Sequence, residues 1–216
     1  MCMDETELLL YATPVSVYSC KVRLALALKG LRWTEVAPPG GYGASAYRTI
    51  VAQATVPALV HGDFVLAESD AIIEYLDDIG AGPPLLPAGV RERARARAVS
   101  RFLDTRLEPA LRALFPLVGT HAPVPDAYRA ALLGHHDTLA RLAGPGPFLT
   151  GGTPGLPDCG LWSVAAVQEM LDRALDLGLP TPALAAAAKT VPAVASHLEA
   201  YRRALSHWAH TKGVQA

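Results

Sequence analysis

The sequence has little charge, little cysteine and no long apolar run. Only 18% of its 216 residues are charged, whereas 51% are apolar, and this balance excludes an intrinsically disordered chain. Three cysteines are too few for a disulfide scaffold. No stretch of about 18 apolar residues is free of charges, glycine or proline, so a transmembrane helix is not expected. We therefore expect a globular chain that buries its own hydrophobic core.

An excess of charge of either sign is also missing. The 19 basic and 20 acidic residues leave a net charge of −1, which argues against a nucleic-acid partner held by bulk positive charge. The acidic segment Met1–Glu7 lacks the basic and apolar regions of a signal peptide. We expect Cys2, Cys20 and Cys159 to be free thiols in a reducing compartment. These features predict a cytoplasmic protein with neither a membrane nor a nucleic acid as partner.

The first 80 residues alternate between strand and helix patterns, in the order β-α-β-α-β-β-α that is typical of an α/β domain. The predicted strands are Leu8–Tyr11, Leu31–Val36, Val56–His61 and Phe64–Ala67, the last two joined as a hairpin by Gly62-Asp63. The predicted helices are Lys21–Lys29, Ala44–Val51 and a third helix whose N-cap is predicted to be Ser69. This order predicts an α/β fold for residues 1–80.

A segment rich in proline and glycine follows, and residues 81–90 are therefore predicted to be a linker. The remaining residues, 91–216, are predicted to form an all-helical domain. Its helices are expected over Arg91–Val118, interrupted by Pro109 and Pro116, over Asp126–Ala143 with an Asp cap, over Asp158–Leu177 and over Pro192–His210. The start of Asp158–Leu177 is apolar almost all round, so it should be the buried centre of this domain.

Five segments of the sequence have a pattern in common with a known family. They are VRLALALKG (Val22–Gly30), TVPALV (Thr55–Val60), ESDAIIEYLDD (Glu68–Asp78), PPLLP (Pro83–Pro87) and FLTGGTPGLPDCGLWSV (Phe148–Val164). In this order they resemble the cytosolic glutathione transferases, and the first helix is close to the zeta-class form. The resemblance implies a thioredoxin-like domain followed by an all-α domain. The chain departs from the family pattern at Val51-Ala52, where an Asn-Pro is usual, and at Gly155, where a Ser or Thr cap is usual.

The resemblance implies glutathione as co-substrate and a catalytic hydrogen-bond donor to its thiol. A free thiol has a pKa near about 8.5, so a donor or a helix N-terminus beside the sulfur is needed to favour the thiolate. The donor is expected in the loop Ala12–Cys20. Counting back from Gly30 places Ser16 at the catalytic serine of zeta-like members, with Tyr18 and Ser19 as alternates. Ser16 also has the residue type of a plain helix cap.

The resemblance further implies the groups that hold the rest of glutathione. Val56, before a cis Pro57, would pair its backbone with the cysteinyl residue. Glu68 and Ser69 would bind the γ-glutamyl end. Thr55, Arg48 and Gln53 remain open as partners of the glycine carboxylate. The apolar pocket for the second substrate is expected at Val15, Leu111 and Phe115.

The resemblance leaves three functions to distinguish, and a peroxidase or dehalogenating role is also open. The first is a glutathione transferase that makes a thioether with an electrophilic, mostly apolar substrate. The second is a glutathione-dependent cis–trans isomerase of a maleyl-type diacid. The third is a non-catalytic regulatory or interaction protein. The resemblance also implies a homodimer.

His207 and His210 have no evident third ligand, so no metal site is expected.

Overall fold

The computed structural model describes residues 7–80 and 82–214, so Cys2 and nearly all of the N-terminal segment lie outside the described residues. Its four strands are β1 (Leu8–Tyr11), β2 (Trp33–Val36), β3 (Ala58–His61) and β4 (Phe64–Ala67). They form one sheet in the order β2-β1-β3-β4. β1 pairs in parallel with β2, whereas β1–β3 and β3–β4 are antiparallel. The mixed sheet and its helices form the thioredoxin-like part, and an all-helical part follows.

The helices, in chain order, are α1 (Val17–Lys29), α2 (Ser45–Arg48), α3 (Ser69–Asp78), α4 (Val90–Phe102), α5 (Glu108–Arg112), α6 (Asp126–Leu142), α7 (Leu156–Leu175) and α8 (Pro192–Thr211). Short 3₁₀ segments cover Phe115–Leu117 and Ala183–Thr190. None of the helices in the described part of the chain is long and apolar enough to cross a membrane.

Helix α1 begins four residues earlier than predicted. The run of strong helix formers marked only its centre, whereas Val17–Cys20 already form the first turn. Ser16 has extended backbone angles, and its Oγ accepts the N–H of Ser19 at 3.1 Å, which is the geometry of an N-cap. The helix ends at Gly30, whose φ of 65° is the left-handed conformation that glycine adopts without strain. The predicted loop Ala12–Cys20 is therefore too long, since the structure places Tyr18, Ser19 and Cys20 in the first turn of α1.

Two predicted caps are wrong. Ser69 is the first residue of α3, and the cap position belongs to Glu68, whose φ is 73°. The chain turns out of β4 in this left-handed conformation, so the helix begins directly at Ser69. Asp126 is likewise inside the first turn of α6, after Pro125. A carboxylate in a first turn is still favoured by the helix dipole.

The prediction that Pro109 interrupts the long helix is confirmed. Between α4 and α5, Leu103–Leu107 form a π-helical turn, in which the N–H of Glu108 bonds the carbonyl of Leu103. Proline has no N–H to bond the carbonyl four residues before it, and the wider turn lies directly before Pro109. A π turn contains one extra residue. The side chains of α5 are consequently rotated relative to those of α4.

Helix α7 is the buried centre of the helical part, as predicted, and it begins at Leu156 rather than at Asp158. Asp158 is fully buried and accepts the N–H of Leu149 through Oδ1 and that of Gly155 through Oδ2, both at 2.9 Å. The structure explains the glycine at position 155. A Cβ there would lie 2.6 Å from the carbonyl oxygen of Leu85, and this oxygen accepts the N–H of Leu156.

A buried ion cluster joins the two parts of the chain. Lys21 of α1 is 1% exposed, and its Nζ lies 2.5 Å from Asp70 Oδ1 and 2.7 Å from Asp104 Oδ2. The same ammonium donates to Ser100 Oγ at 3.0 Å. A buried charge is tolerated only when it is paired and hydrogen-bonded. The cluster therefore fixes α1 against α3, α4 and the π turn, next to the site described below.

Candidate functional site

Two adjoining cavities lie where the loop before α1 meets β3, α3 and the helical part. The first, here called the narrow cavity, has a volume of about 360 Å³. It is lined by Thr13, Val15, Ser16, Val17, Tyr18, Tyr42, Thr55, Val56, Glu108, Arg112, Phe115, Val167 and Trp208.

The second, the wide cavity, has a volume of about 880 Å³. It is lined by Tyr18, Thr55, Val56, Pro57, Leu66, Glu68, Ser69, Asp70, Ala71, Glu74, Tyr75, Asp78, Arg101, Asp104 and Thr105. The two cavities share Tyr18, Thr55 and Val56. One extended ligand can therefore pass from Glu68 and Ser69 to Ser16 along Val56.

Ser16 lies on the narrow cavity at the N-terminus of α1. Its Oγ accepts the N–H of Ser19, which leaves the hydroxyl proton available for donation. Capping and donation are therefore compatible in one side chain. The aligned peptide dipoles of the 13-residue helix also favour a negative charge near this end. The position suits a group that stabilises an anion.

The two alternates to Ser16 differ in their surroundings. Ser19 is fully buried, its Oγ has no hydrogen-bond partner in the described chain, and it lines neither cavity. Tyr18 lines both cavities, but its hydroxyl is shared between Glu108 Oε2 and the carbonyl of Asp104, each at 3.2 Å. Burial, and then the Glu108 carboxylate, raise the pKa of Tyr18. Its proton is thus already bound elsewhere.

The Val56-Pro57 peptide is cis, as the resemblance implied. Val56 lies two residues before β3 and lines both cavities. Within the described residues, neither its N–H nor its C=O has a hydrogen-bond partner inside the protein. These two groups are free to pair with an extended peptide in the manner of an added strand.

Three of the five polar residues predicted to bind the ends of a tripeptide line a cavity. Glu68 and Ser69 line the wide cavity. Gln53 lines neither cavity, but its amide reaches Glu68 Oε1 at 3.4 Å. Arg48 is exposed and bonds the carbonyl of Ala52, away from both cavities. Of the three candidates for a carboxylate partner, only Thr55 lines the cavities.

Of the three residues predicted for the second-substrate pocket, two line the narrow cavity and the third does not. Val15, which is 39% exposed, and Phe115 line the narrow cavity. Leu111 is 1% exposed and packs in the core. Arg112, the next residue of α5, lines the narrow cavity instead. The ring of Trp208, 5.0 Å from that of Phe115, extends the apolar wall.

Sequence reasoning missed the polar part of this wall. Glu108 Oε1 accepts a hydrogen bond from Arg112 Nη2, and its other oxygen accepts from Tyr18. The Glu108 side chain is only 7% exposed, whereas the Arg112 side chain is 57% exposed. The spacing of Glu108 and Arg112, four residues apart on one helix, is a signal that could have revealed the pair.

Comparison with known proteins identifies the family. Residues 10–84 match the family model of the glutathione S-transferase N-terminal domain. The protein is 42% identical over 108 residues to glutathione S-transferase Z2 of Arabidopsis thaliana, which corresponds to 49% of this chain and 48% of the relative. The chain thus spans about half the length of that plant relative.

Two bacterial proteins match over most of the chain. A maleylpyruvate isomerase of a Ralstonia species is 32% identical over 199 residues, covering 86% of this chain and 91% of the relative. The crystal structure of a maleylacetoacetate isomerase of Methylobacterium extorquens AM1, with bound malonate and glutathione, has a TM-score of 0.71 and 26% identity. That match covers 90% of this chain and 97% of the other. The chain belongs to the glutathione S-transferase family.

Proposed function

We propose that the protein binds glutathione across the two cavities and activates its thiol at Ser16 for attack on an electrophilic, mostly apolar substrate. One observation carries the proposal: Ser16, at the N-terminus of α1, shares the narrow cavity with the unpaired backbone groups of Val56. A hydrogen-bond donor for sulfur and a docking edge for a peptide therefore lie on one surface.

In the proposed complex, the γ-glutamyl group occupies the wide cavity. Its ammonium binds Glu68, and its carboxylate binds the backbone and hydroxyl of Ser69 at the start of α3. The cysteinyl residue pairs with Val56, and the sulfur points into the narrow cavity toward Ser16. Thr55, which lines both cavities, is the proposed polar neighbour of the glycine end.

The reaction follows from this placement. Ser16 donates its hydroxyl proton in a hydrogen bond to the sulfur, which lowers the thiol pKa and sends the thiol proton to solvent. The thiolate forms a bond to the electrophilic carbon, and the leaving group departs with the electrons of the broken bond. The walls made by Val15, Phe115 and Trp208 bind the apolar part of the substrate.

A second candidate is the glutathione-dependent isomerisation of a maleyl-type diacid. It is supported by the Ralstonia maleylpyruvate isomerase, which matches 86% of this chain. In this reaction the sulfur adds to the conjugated double bond, the new single bond rotates, and elimination restores the thiolate. Glutathione is therefore not consumed.

A paired assay separates the two functions. Purified protein is incubated with glutathione and either an aryl halide or a maleyl diacid, while free thiol and substrate isomer are followed. Thioether formation with loss of thiol supports the transferase. Isomer formation at constant thiol supports the isomerase. Turnover of neither substrate together with failure to bind immobilised glutathione would overturn both and favour a non-catalytic role.

We further propose a homodimer that packs through the face around α3. Phe64 and Val65 of β4 are 44% and 40% exposed, and the Phe64 ring lies 5.1 Å from that of Tyr75, on the wide cavity. An exposed apolar group of this kind suits a partner surface. Light scattering should give twice the chain mass of 22.8 kDa, and a monomer mass would refute the dimer.

We propose a cytoplasmic location because Cys20 and Cys159 are free thiols.

A further inference from the structure

The narrow cavity has a buried negative charge in its wall. Only two of its lining residues, Glu108 and Arg112, carry a formal charge. The Glu108 side chain is 7% exposed and the Arg112 side chain is 57% exposed. The carboxylate therefore lies in the wall, screened from water, and the guanidinium lies at the mouth, where water screens it.

The surrounding contacts fix this carboxylate in place. Its Oε2 accepts the Tyr18 hydroxyl of α1 at 3.2 Å, and its Oε1 accepts from Arg112 Nη2. Its backbone N–H bonds Leu103 across the π turn. One residue earlier or later on α5 the side chain would point elsewhere, since successive residues of a helix are turned by roughly 100°.

The charges set which substituents the cavity tolerates. The Glu108 carboxylate is nearly buried, so its repulsion of an incoming carboxylate is little screened, whereas solvent reduces the attraction exerted by the exposed Arg112 guanidinium. Glu108 also occupies one nitrogen of the Arg112 fork, which weakens the ability of Arg112 to bind a second carboxylate in a bidentate way. The rest of the lining is uncharged: it combines aliphatic and aromatic side chains with the hydroxyl groups of Thr13, Ser16 and Thr55.

We propose that Glu108 is a specificity-determining residue that makes the narrow cavity select uncharged electrophiles and reject those that carry a carboxylate. This inference rests on the proposed glutathione site, and it selects the transferase over the diacid isomerase. Glu108 acts by charge on the part of the substrate next to the sulfur. It takes no proton and forms no bond in the reaction.

The experiment measures binding of a matched pair of ligands by calorimetry, so that it does not depend on turnover. S-propylglutathione and S-(2-carboxyethyl)glutathione differ mainly by a terminal carboxylate in place of a methyl group. The native protein should bind the propyl ligand more tightly. In Glu108→Gln, which removes the charge and retains the shape, the ratio of the two dissociation constants should shift at least about tenfold toward the carboxylated ligand.

Two further variants control the result. Glu108→Asp keeps the charge and should retain the native preference. Glu199 and Arg203 of α8 form an exposed ion pair with the same four-residue spacing as Glu108 and Arg112. Glu199→Gln removes the carboxylate of that pair and should leave the ratio of the two dissociation constants unchanged. An unchanged ratio in Glu108→Gln, with both ligands bound, would overturn the role of Glu108 alone. Binding of neither ligand to the native protein would overturn the glutathione site and this inference with it.

Discussion

Replacing Ser16 with alanine removes two interactions at once. The Oγ that caps α1 by accepting the Ser19 N–H is lost, and so is the hydroxyl proposed to donate to the sulfur of glutathione. An N-cap serine contributes typically about 1 kcal/mol relative to alanine. A hydrogen bond to an ionised group contributes about 1.5–3 kcal/mol. The two losses affect different quantities, namely the free energy of unfolding and the thiol pKa.

The expected kinetic effect follows from the second loss. One pKa unit corresponds to about 1.36 kcal/mol, so the pKa of the bound thiol should rise by roughly one to two units. In the pH profile of kcat/KM with an uncharged electrophile, the rising limb should move up by the same amount. At neutral pH the rate of Ser16→Ala should fall about 10- to 100-fold.

Ser16→Gly separates catalysis from capping. Glycine at an N-cap is only a few tenths of a kcal/mol worse than serine, yet it has no hydroxyl. We therefore expect Ser16→Gly to lose activity as Ser16→Ala does while keeping nearly native stability in urea unfolding. Ser196→Ala, at an exposed serine of α8 that lines neither cavity, is the control. A native pH profile in Ser16→Gly would refute the donor role. If the activities of the variants instead changed in proportion to their free energies of unfolding, Ser16 would only cap the helix.

Three further predictions concern stability. Lys21→Met leaves two partly buried carboxylates without their cation, and urea unfolding should show a loss of about 3–5 kcal/mol; a loss below about 1 kcal/mol would contradict the cluster's role. Gly155→Ser, which restores the family's usual residue type, should lower the melting temperature, because its Cβ would lie 2.6 Å from the Leu85 carbonyl oxygen; an unchanged or higher melting temperature would show that the backbone yields. Burial raises the pKa of Asp158 to about 6 in the folded protein, above its value in the unfolded chain. The folded state therefore holds the proton more tightly, so Asp158 contributes to the free energy of unfolding at low pH, and this contribution is lost as the pH rises through about 6. The native protein should therefore gain about 1 kcal/mol over Asp158→Asn between pH 7 and pH 5, and a pH-independent difference would contradict this.

The order of strands and helices was predictable from the sequence because each element carries its own local signal. Leu8–Tyr11 and Phe64–Ala67 have the predicted bounds, since β-branched and apolar runs end there at clear breaks. The start of α1 was missed because Val17–Cys20 are ordinary helix formers at best. Their helical state depends on the cap at Ser16 and on burial, and neither is visible in a propensity pattern.

The polar wall of the narrow cavity was not predictable in the same way. Leu111 was predicted to line the cavity, whereas the structure buries it in the core and places Arg112 on the wall, after a π turn at Leu103–Leu107. The turn inserts a residue without any strong sequence mark besides Pro109. The partner that holds Glu108, Tyr18, is 90 residues away in sequence. Such contacts become apparent only in the folded chain.

The central claim is that this chain binds glutathione and ionises its thiol beside Ser16. An ultraviolet difference titration of the native protein with glutathione at neutral pH tests it directly, because the thiolate absorbs where the thiol does not. We expect saturable thiolate absorbance, with a bound-thiol pKa well below the value of about 8.5 for a free thiol. Saturable binding with an unshifted thiol pKa, or no binding at all, would contradict it.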